Sequence, residues 1–299
     1  MIDFIQNCID GVMIGSGYAL LAIGFTIVFG VLRRLNLAYG PSIMLGAFVG
    51  TLLYVQFQAQ ILTVAIATVI GAVVVGMYVE RLCFWAIRRG AAIASMVSSF
   101  AIWMQLEEVA AIILPERTYP FPALTEMAPL EIGPFFLRSE PLVMFVVAVA
   151  LMAVVHTVLY RTRFGLAVRA VSENPSAARF MGIHIDAVMF WAFALVSAIG
   201  GVAGFLILAT DQQVTPYFGL WVTFKGLIAM MLGGMGSLPG AILGGLVLGV
   251  VETQSLWYLG ADYRDLSAYF LLFLILIVRP GGIMGQALPE QERAADRRV

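Results

Sequence analysis

Residues 11–31 read GVMIGSGYALLAIGFTIVFGV, a run without one charged side chain. At about 1.5 Å of rise per residue it makes a helix of about 30 Å, the thickness of the hydrocarbon layer of a bilayer. This stretch is a membrane span. Eight more apolar runs follow at residues 37–55, 61–79, 91–114, 142–160, 187–209, 218–234, 241–259 and 266–278. The last is short by that yardstick and the second opens on polar Tyr39 and Ser42, so eight full spans with broken or tilted pieces also fit the pattern. Composition agrees: the chain is 61% apolar and 12% charged, where a soluble domain is about half apolar and a quarter charged. The expectation is an all-α integral membrane protein, a polytopic helix bundle of about 8–9 transmembrane helices with broken or re-entrant pieces, forming a single transmembrane domain over residues 1–299.

Several function classes drop out. The net charge of −1 gives no hold on nucleic acid. Cys8 and Cys83 are too few for a disulfide framework or a thiolate metal site, and small packing residues are what two cysteines usually are. A phosphate-cradling Walker loop needs a Lys followed by Ser or Thr, whereas the one Lys of the chain, Lys225, precedes Gly226. His156 and His184 form no HExxH pair and no GxSxG elbow is present, so no catalytic, cofactor-binding or metal residue is assigned and no enzyme is expected. Residues 1–10 hold Asp3 and Asp10 but no basic residue, unlike the head of a cleaved signal peptide, so the first span is expected to stay in the mature protein.

Positive charge sets the expected orientation. With the N-terminus outside, the inward segments hold Arg33, Arg34, Arg81, Arg88, Arg89, Arg161, Arg163, Arg169, Arg179, Arg279, Arg293, Arg297 and Arg298. Only Arg117, Arg138 and Arg264 fall outside. This predicts N-out, C-in, with an extracytoplasmic loop at 115–140, rich in proline and glutamate, and a cytoplasmic loop at 161–186. In the latter, Asn174 suits a helix cap, Pro175 the first helical position and Gly182 a stop, which predicts a short helix over 175–181. Phe180 and Met181 are its anchors, whether it rests on the bilayer or docks into a cytoplasmic partner.

Ionisable residues inside hydrocarbon are paired or line a path. Four are expected there: Glu107, Glu108, Lys225 and Glu252. Lys225 and Glu252 fall about 10–12 Å below the outer surface on neighbouring antiparallel helices and can meet; Glu107 or Glu108 can compete for the Lys. A structural ion pair and direct solute contact both fit. Glycine pairs at small-xxx-small spacing, among them Gly11/Gly15, Gly200/Gly204 and Gly245/Gly249, predict close helix packing. In LGGMGSLPGAILGG at 232–245, Gly233, Gly234, Gly236, Pro239 and Gly240 forbid a continuous helix and predict a tight turn or re-entrant bend. Gly40, Pro41 and Gly46 raise the same possibility in the second span, where Asn36, Tyr39 and Ser42 can face a pathway.

Four blocks carry a resemblance: NLAYGPSIMLGAFVG at 36–50, GLAVRAVSENPSAARFMGIHID at 165–186, the Lys225 segment leading into LGGMGSLPGAILGGLVLG at 232–249, and RPGGIMG at 279–285. Together they resemble the LivH-type permease of branched-chain amino acid ABC importers over almost the whole chain. The resemblance implies a multi-pass protein of the bacterial inner membrane working with a second homologous permease and with an extracytoplasmic substrate-binding protein. It also implies two cytoplasmic ATPase subunits, which carry the ATP and Mg, so no cofactor is expected in this chain. By resemblance, the ATPase-coupling segment is Glu173 to Gly182, with Asn174, Pro175, Ala177, Ala178, Arg179, Phe180 and Met181, a looser form of the EAA motif of other ABC permeases. Lys225 and Glu252 stand where family members carry Lys and Glu. The implied solutes are branched-chain or related hydrophobic amino acids; related importers handle urea, short amides or other small amino acids, which keeps these as the alternative. A stand-alone channel or secondary transporter ranks below both, since no internal repeat is evident and the in-span charges lie towards one surface.

Overall fold

A computed structural model describes residues 2–32, 34–85, 92–113, 118–125 and 129–285. Of the residues weighed above, Arg33, Arg88, Arg89, Arg117, Arg293, Arg297 and Arg298 lie outside these ranges. The long helices are α1 (Ile2–Leu32), α2 (Tyr39–Phe57), α3 (Ile61–Val79), α4 (Ala92–Ile113) and α5 (Ser139–Arg161), and then, after the short α6 (Arg163–Glu173) and α7 (Pro175–Phe180), α8 (Ile185–Asp211), α9 (Phe218–Gly233), α10 (Leu238–Tyr258) and α11 (Tyr263–Val278). A π-helical turn, Glu80–Trp85, continues α3. Seven of these helices are long and apolar enough to cross a membrane. The other two, α9 and α11, have 16 residues each, about 24 Å of helix, and are the short pieces of the bundle. The chain is a multi-pass membrane protein.

Successive helices run in opposite directions, which gives the bundle two distinct ends. At one, strands β1 (Tyr119–Pro120) and β4 (Gln213–Val214) pair antiparallel, as do β2 (Leu130–Ile132) and β3 (Phe135–Leu137). The start of α1 belongs to this hairpin end, because Gln6 Nε2 donates to Phe136 O (2.6 Å) and Gln6 Oε1 accepts from Phe136 N (3.1 Å). That clamp, together with a bond from Gln254 Nε2 to Phe4 O (3.0 Å), accompanies a helix that begins nine residues before the apolar run does. The opposite end carries α6 and α7.

Helices α1 and α8 form the buried centre and α3, α4 and α5 its flanks. Glycine decides how closely they pack. Gly11 and Gly15 of α1 meet Gly245 and Gly249 of α10 face to face: a Cβ at Gly11 would lie 2.6 Å from Val250 Cα, and one at Gly15 2.8 Å from Gly245 O. Gly200 and Gly204 of α8 receive Tyr39 and Ile43 of α2 in the same way. With little hydrophobic drive between helices in lipid, such backbone proximity supplies the contact energy.

The glycine-rich segment takes the tight-turn form. Helix α9 stops at Gly233, Gly234 and Gly236 have φ of +110° and +88°, and α10 restarts at Leu238 with Pro239 in its first turn. Ser237 Oγ caps the new helix by accepting from Gly240 N (3.2 Å). The turn is closed from below by the RPGGIMG segment, where Ile283 N donates to Leu232 O (2.8 Å) and Met284 N to Gly233 O (2.9 Å).

Candidate functional site

Lys225 sits in the second turn of α9 and Glu252 in the penultimate turn of α10, both about two turns from the hairpin end. The Lys225 ammonium donates to Glu252 Oε1 and, over 2.7 Å, to Asp265 Oδ1. On the other carboxylate oxygen, Glu252 Oε2 accepts from Arg264 Nε (3.1 Å) and from the Tyr18 hydroxyl (2.9 Å), and Arg264 also donates to that hydroxyl (2.8 Å). The Trp221 ring, one turn before Lys225, lies 5.7 Å from its ammonium. Two cations thus face two carboxylates. Lys225 and Glu252 are only 3% and 1% exposed, and charges so deeply covered persist because each is paired and hydrogen-bonded.

The network ties α1, α9, α10 and α11 together. Sequence reasoning placed Lys225 and Glu252 within reach of each other but missed Tyr18, Arg264 and Asp265. A signal was present: Arg264 and Asp265 directly precede the last apolar run, at the end of the bundle where Lys225 and Glu252 lie. The carboxylates considered as competitors do not join. Glu108 is exposed, while the enclosed Glu107 Oε1 has no hydrogen-bond partner among the described residues.

The polar groups at the start of α2 are turned inward and bonded locally. Asn36 Oδ1 accepts from Ala38 N (3.1 Å), Ser42 Oγ donates to Ala38 O (2.7 Å), and the Tyr39 hydroxyl donates to Val196 O (3.3 Å). Tyr39 packs edge-on against Phe25, 4.8 Å between ring centres, and its hydroxyl lies over Gly24 and Gly200, where no side chain would fit. These residues join α1, α2 and α8 within the bundle, at Gly24 of α1 and at Val196 and Gly200 in the middle of α8.

At the α6–α7 end, Thr162 caps α6, its hydroxyl accepting from Gly165 N (3.1 Å), and Asn174 Oδ1 caps α7 by accepting from Ala177 N (3.0 Å). Pro175 stands at the first position of α7, which ends at Phe180 with Met181 as its cap, and Gly182 follows with φ of +82°. Ala178 is the buried contact of α7; Phe180 and Met181 project outward, 92% and 82% exposed. Glu173, Asn174, Ala177, Arg179 and Gly182 are exposed around them.

Residues 7–278 match the family described as branched-chain amino acid transport system / permease component. The chain belongs to this family. Among relatives of this permease, the protein named high-affinity branched-chain amino acid transport system permease protein LivH from Salmonella typhimurium is 32% identical, with 97% of each chain covered. Permease protein BraD of the same kind of system from Pseudomonas aeruginosa is 28% identical over 97% of this chain and 98% of its own. A probable branched-chain amino acid transport permease LivH from Methanocaldococcus jannaschii is 29% identical over 93% and 91%. The charged network and the α6–α7 elbow both fall inside the matched region.

Proposed function

We propose that this permease lines the membrane path of an ABC importer for branched-chain amino acids. It works with a second, related permease, two cytoplasmic ATPase subunits that bind ATP and Mg, and an extracytoplasmic binding protein that delivers the solute. The chain itself performs no chemistry; its task is to change shape. The hairpin end faces outward, where the binding protein docks, and the α6–α7 end, which holds most of the arginines among the described residues, faces the cytoplasm.

The observation that carries this assignment is α7. A six-residue helix, capped by Asn174 and started by Pro175, holds two large apolar side chains almost fully in the open. Such groups mark a protein contact rather than a core. ATP-driven closure of the motor subunits moves α7. The movement passes through α6 to α5 and α8, and populations shift between outward-open and inward-open packings.

The test is reconstitution of the four-part membrane complex in vesicles. Ala or a charged residue in place of Phe180 or Met181 abolishes leucine uptake while the motor subunits still hydrolyse ATP; unaltered uptake in these variants overturns the assignment. Substrate class is decided on the partner receptor, where leucine, isoleucine and valine raise the melting temperature and urea and short amides do not. The opposite pattern would favour the amide-type alternative.

A further inference from the structure

Helix α4 belongs to the flank of the bundle, and most of its surface is apolar and exposed, Val97, Met104 and Ile112 among the outward residues. One line along it is different. Ser95, Ser99, Trp103 and Glu107 recur at every fourth position, so they share one slowly winding face. That face is covered by the rest of the chain at Ser95, Ser99 and Trp103 and half-covered at Glu107. Ser95 and Ser99 are fully buried, Trp103 is 8% exposed and Glu107 Oε1 is enclosed.

The two halves of the line differ in how they are satisfied. Towards the α6–α7 end, Ser95 Oγ accepts from Arg34, and Ser99 Oγ accepts from Leu37 N (3.3 Å) and donates to Met96 O (2.8 Å). Towards the hairpin end, Trp103 Nε1 and Glu107 Oε1 have no hydrogen-bond partner among the described residues. A buried donor or acceptor left alone costs about 1–3 kcal/mol, and a charged one more. Two orphans one helical turn apart therefore call for a partner that comes from outside the chain.

The complementary partner must accept from an N–H and donate to a carboxylate within one turn of helix. An amino-acid zwitterion does both through its carboxylate and ammonium groups. The Phe224 ring, 6.5 Å from that of Trp103, adds apolar surface for an aliphatic side chain and leads directly to Lys225. In the Lys225–Glu252 network, by contrast, the buried carboxylate already accepts from three donors of the chain.

We propose that the buried polar line of α4 is one wall of the solute route, with Trp103 Nε1 holding the carboxylate and Glu107 the ammonium of the amino acid in transit. The proposal rests on the importer function above.

The test uses the reconstituted four-part complex with saturating leucine-loaded receptor. Trp103→Phe, which keeps a ring and removes only the N–H, and Glu107→Gln each lower leucine moved per ATP by about tenfold, the loss of one charge-assisted hydrogen bond. ATP hydrolysis stimulated by the loaded receptor stays near wild type. A second measurement does not depend on transport. In a Cys8→Ser, Cys83→Ser background, Trp103→Cys and Glu107→Cys react with a small charged methanethiosulfonate reagent and are protected by leucine with its receptor, whereas Met104→Cys does not react. Unchanged leucine per ATP in both variants overturns the proposal, as does absence of labelling at both sites. Labelling without protection means that only water wets the line, and it overturns the zwitterion site. If the wild-type complex moves no branched-chain amino acid, the importer assignment falls instead, and the labelling still decides whether this face is wetted.

Discussion

Lys225 on α9 donates a hydrogen bond to Glu252 on α10, joining two antiparallel neighbours where neither charge is stable alone. The pair is not symmetric. Glu252 is the shared acceptor for Lys225, Arg264 and Tyr18, while Lys225 has a second carboxylate in Asp265.

That asymmetry ranks two substitutions. Glu252→Ala leaves Lys225 and Arg264 without their common acceptor and is expected to destabilise by about 3–5 kcal/mol. Lys225→Ala leaves Glu252 bonded to Arg264 and Tyr18, so its effect is smaller. Thermal unfolding of the purified variants reads the difference; a Lys225 variant weaker than the Glu252 variant contradicts the geometry.

Helix α1 reaches α10 only because both lack side chains at the crossing. Gly15→Val forces the backbones apart at Gly245 and Leu246 and is expected to cost about 1–3 kcal/mol, the usual range for overpacking. Gly260→Ala, where nothing lies within 4 Å, carries only the cost of a positive φ, about 1–2 kcal/mol. Melting curves in detergent should place the first variant below the second.

Within the α9–α10 turn two glycines share a backbone constraint but not a packing one. A Cβ at Gly236 meets open space, whereas one at Gly234 would lie 2.6 Å from Gly285 Cα. Gly236→Ala should therefore cost about 1–2 kcal/mol and Gly234→Ala clearly more. Equal melting temperatures would mean that residues 281–285 do not pack on the turn.

Asn174→Ala removes the cap of α7 and should loosen that helix by about 1 kcal/mol with little change in overall stability, since α7 buries only Ala178. Hydrogen exchange at residues 175–180 should rise. Leucine uptake should fall together with motor-subunit retention on the purified complex, and Asn174→Asp, which can still cap, should restore both.

Legibility differed between residues for physical reasons. The spans, the cap at Asn174 with Pro175 after it, and the break at Gly233 to Gly240 could be read because each rests on local chemistry. Lys225 and Glu252 could be placed at one depth by counting residues from a helix end. Asp265 and Arg264 could be placed at the same end of the bundle but not in the network, since a charge beside the start of an apolar run has the same sequence appearance whether it faces water or turns back to a buried partner. Trp103 was overlooked because an aromatic residue in an apolar helix carries no mark that its N–H is unpaired.

By itself, the order of residues determined that this chain crosses a membrane many times, where the helices break, and which end collects the arginines. Run length, proline and glycine backbone limits and the positive-inside bias act along the chain. Tertiary packing alone decided that Gly11 and Gly15 meet Gly245 and Gly249, that Glu252 serves three donors, and that one polar line of α4 is turned inward. Helical periodicity tells which residues share a face; only the neighbouring helices choose which face is covered.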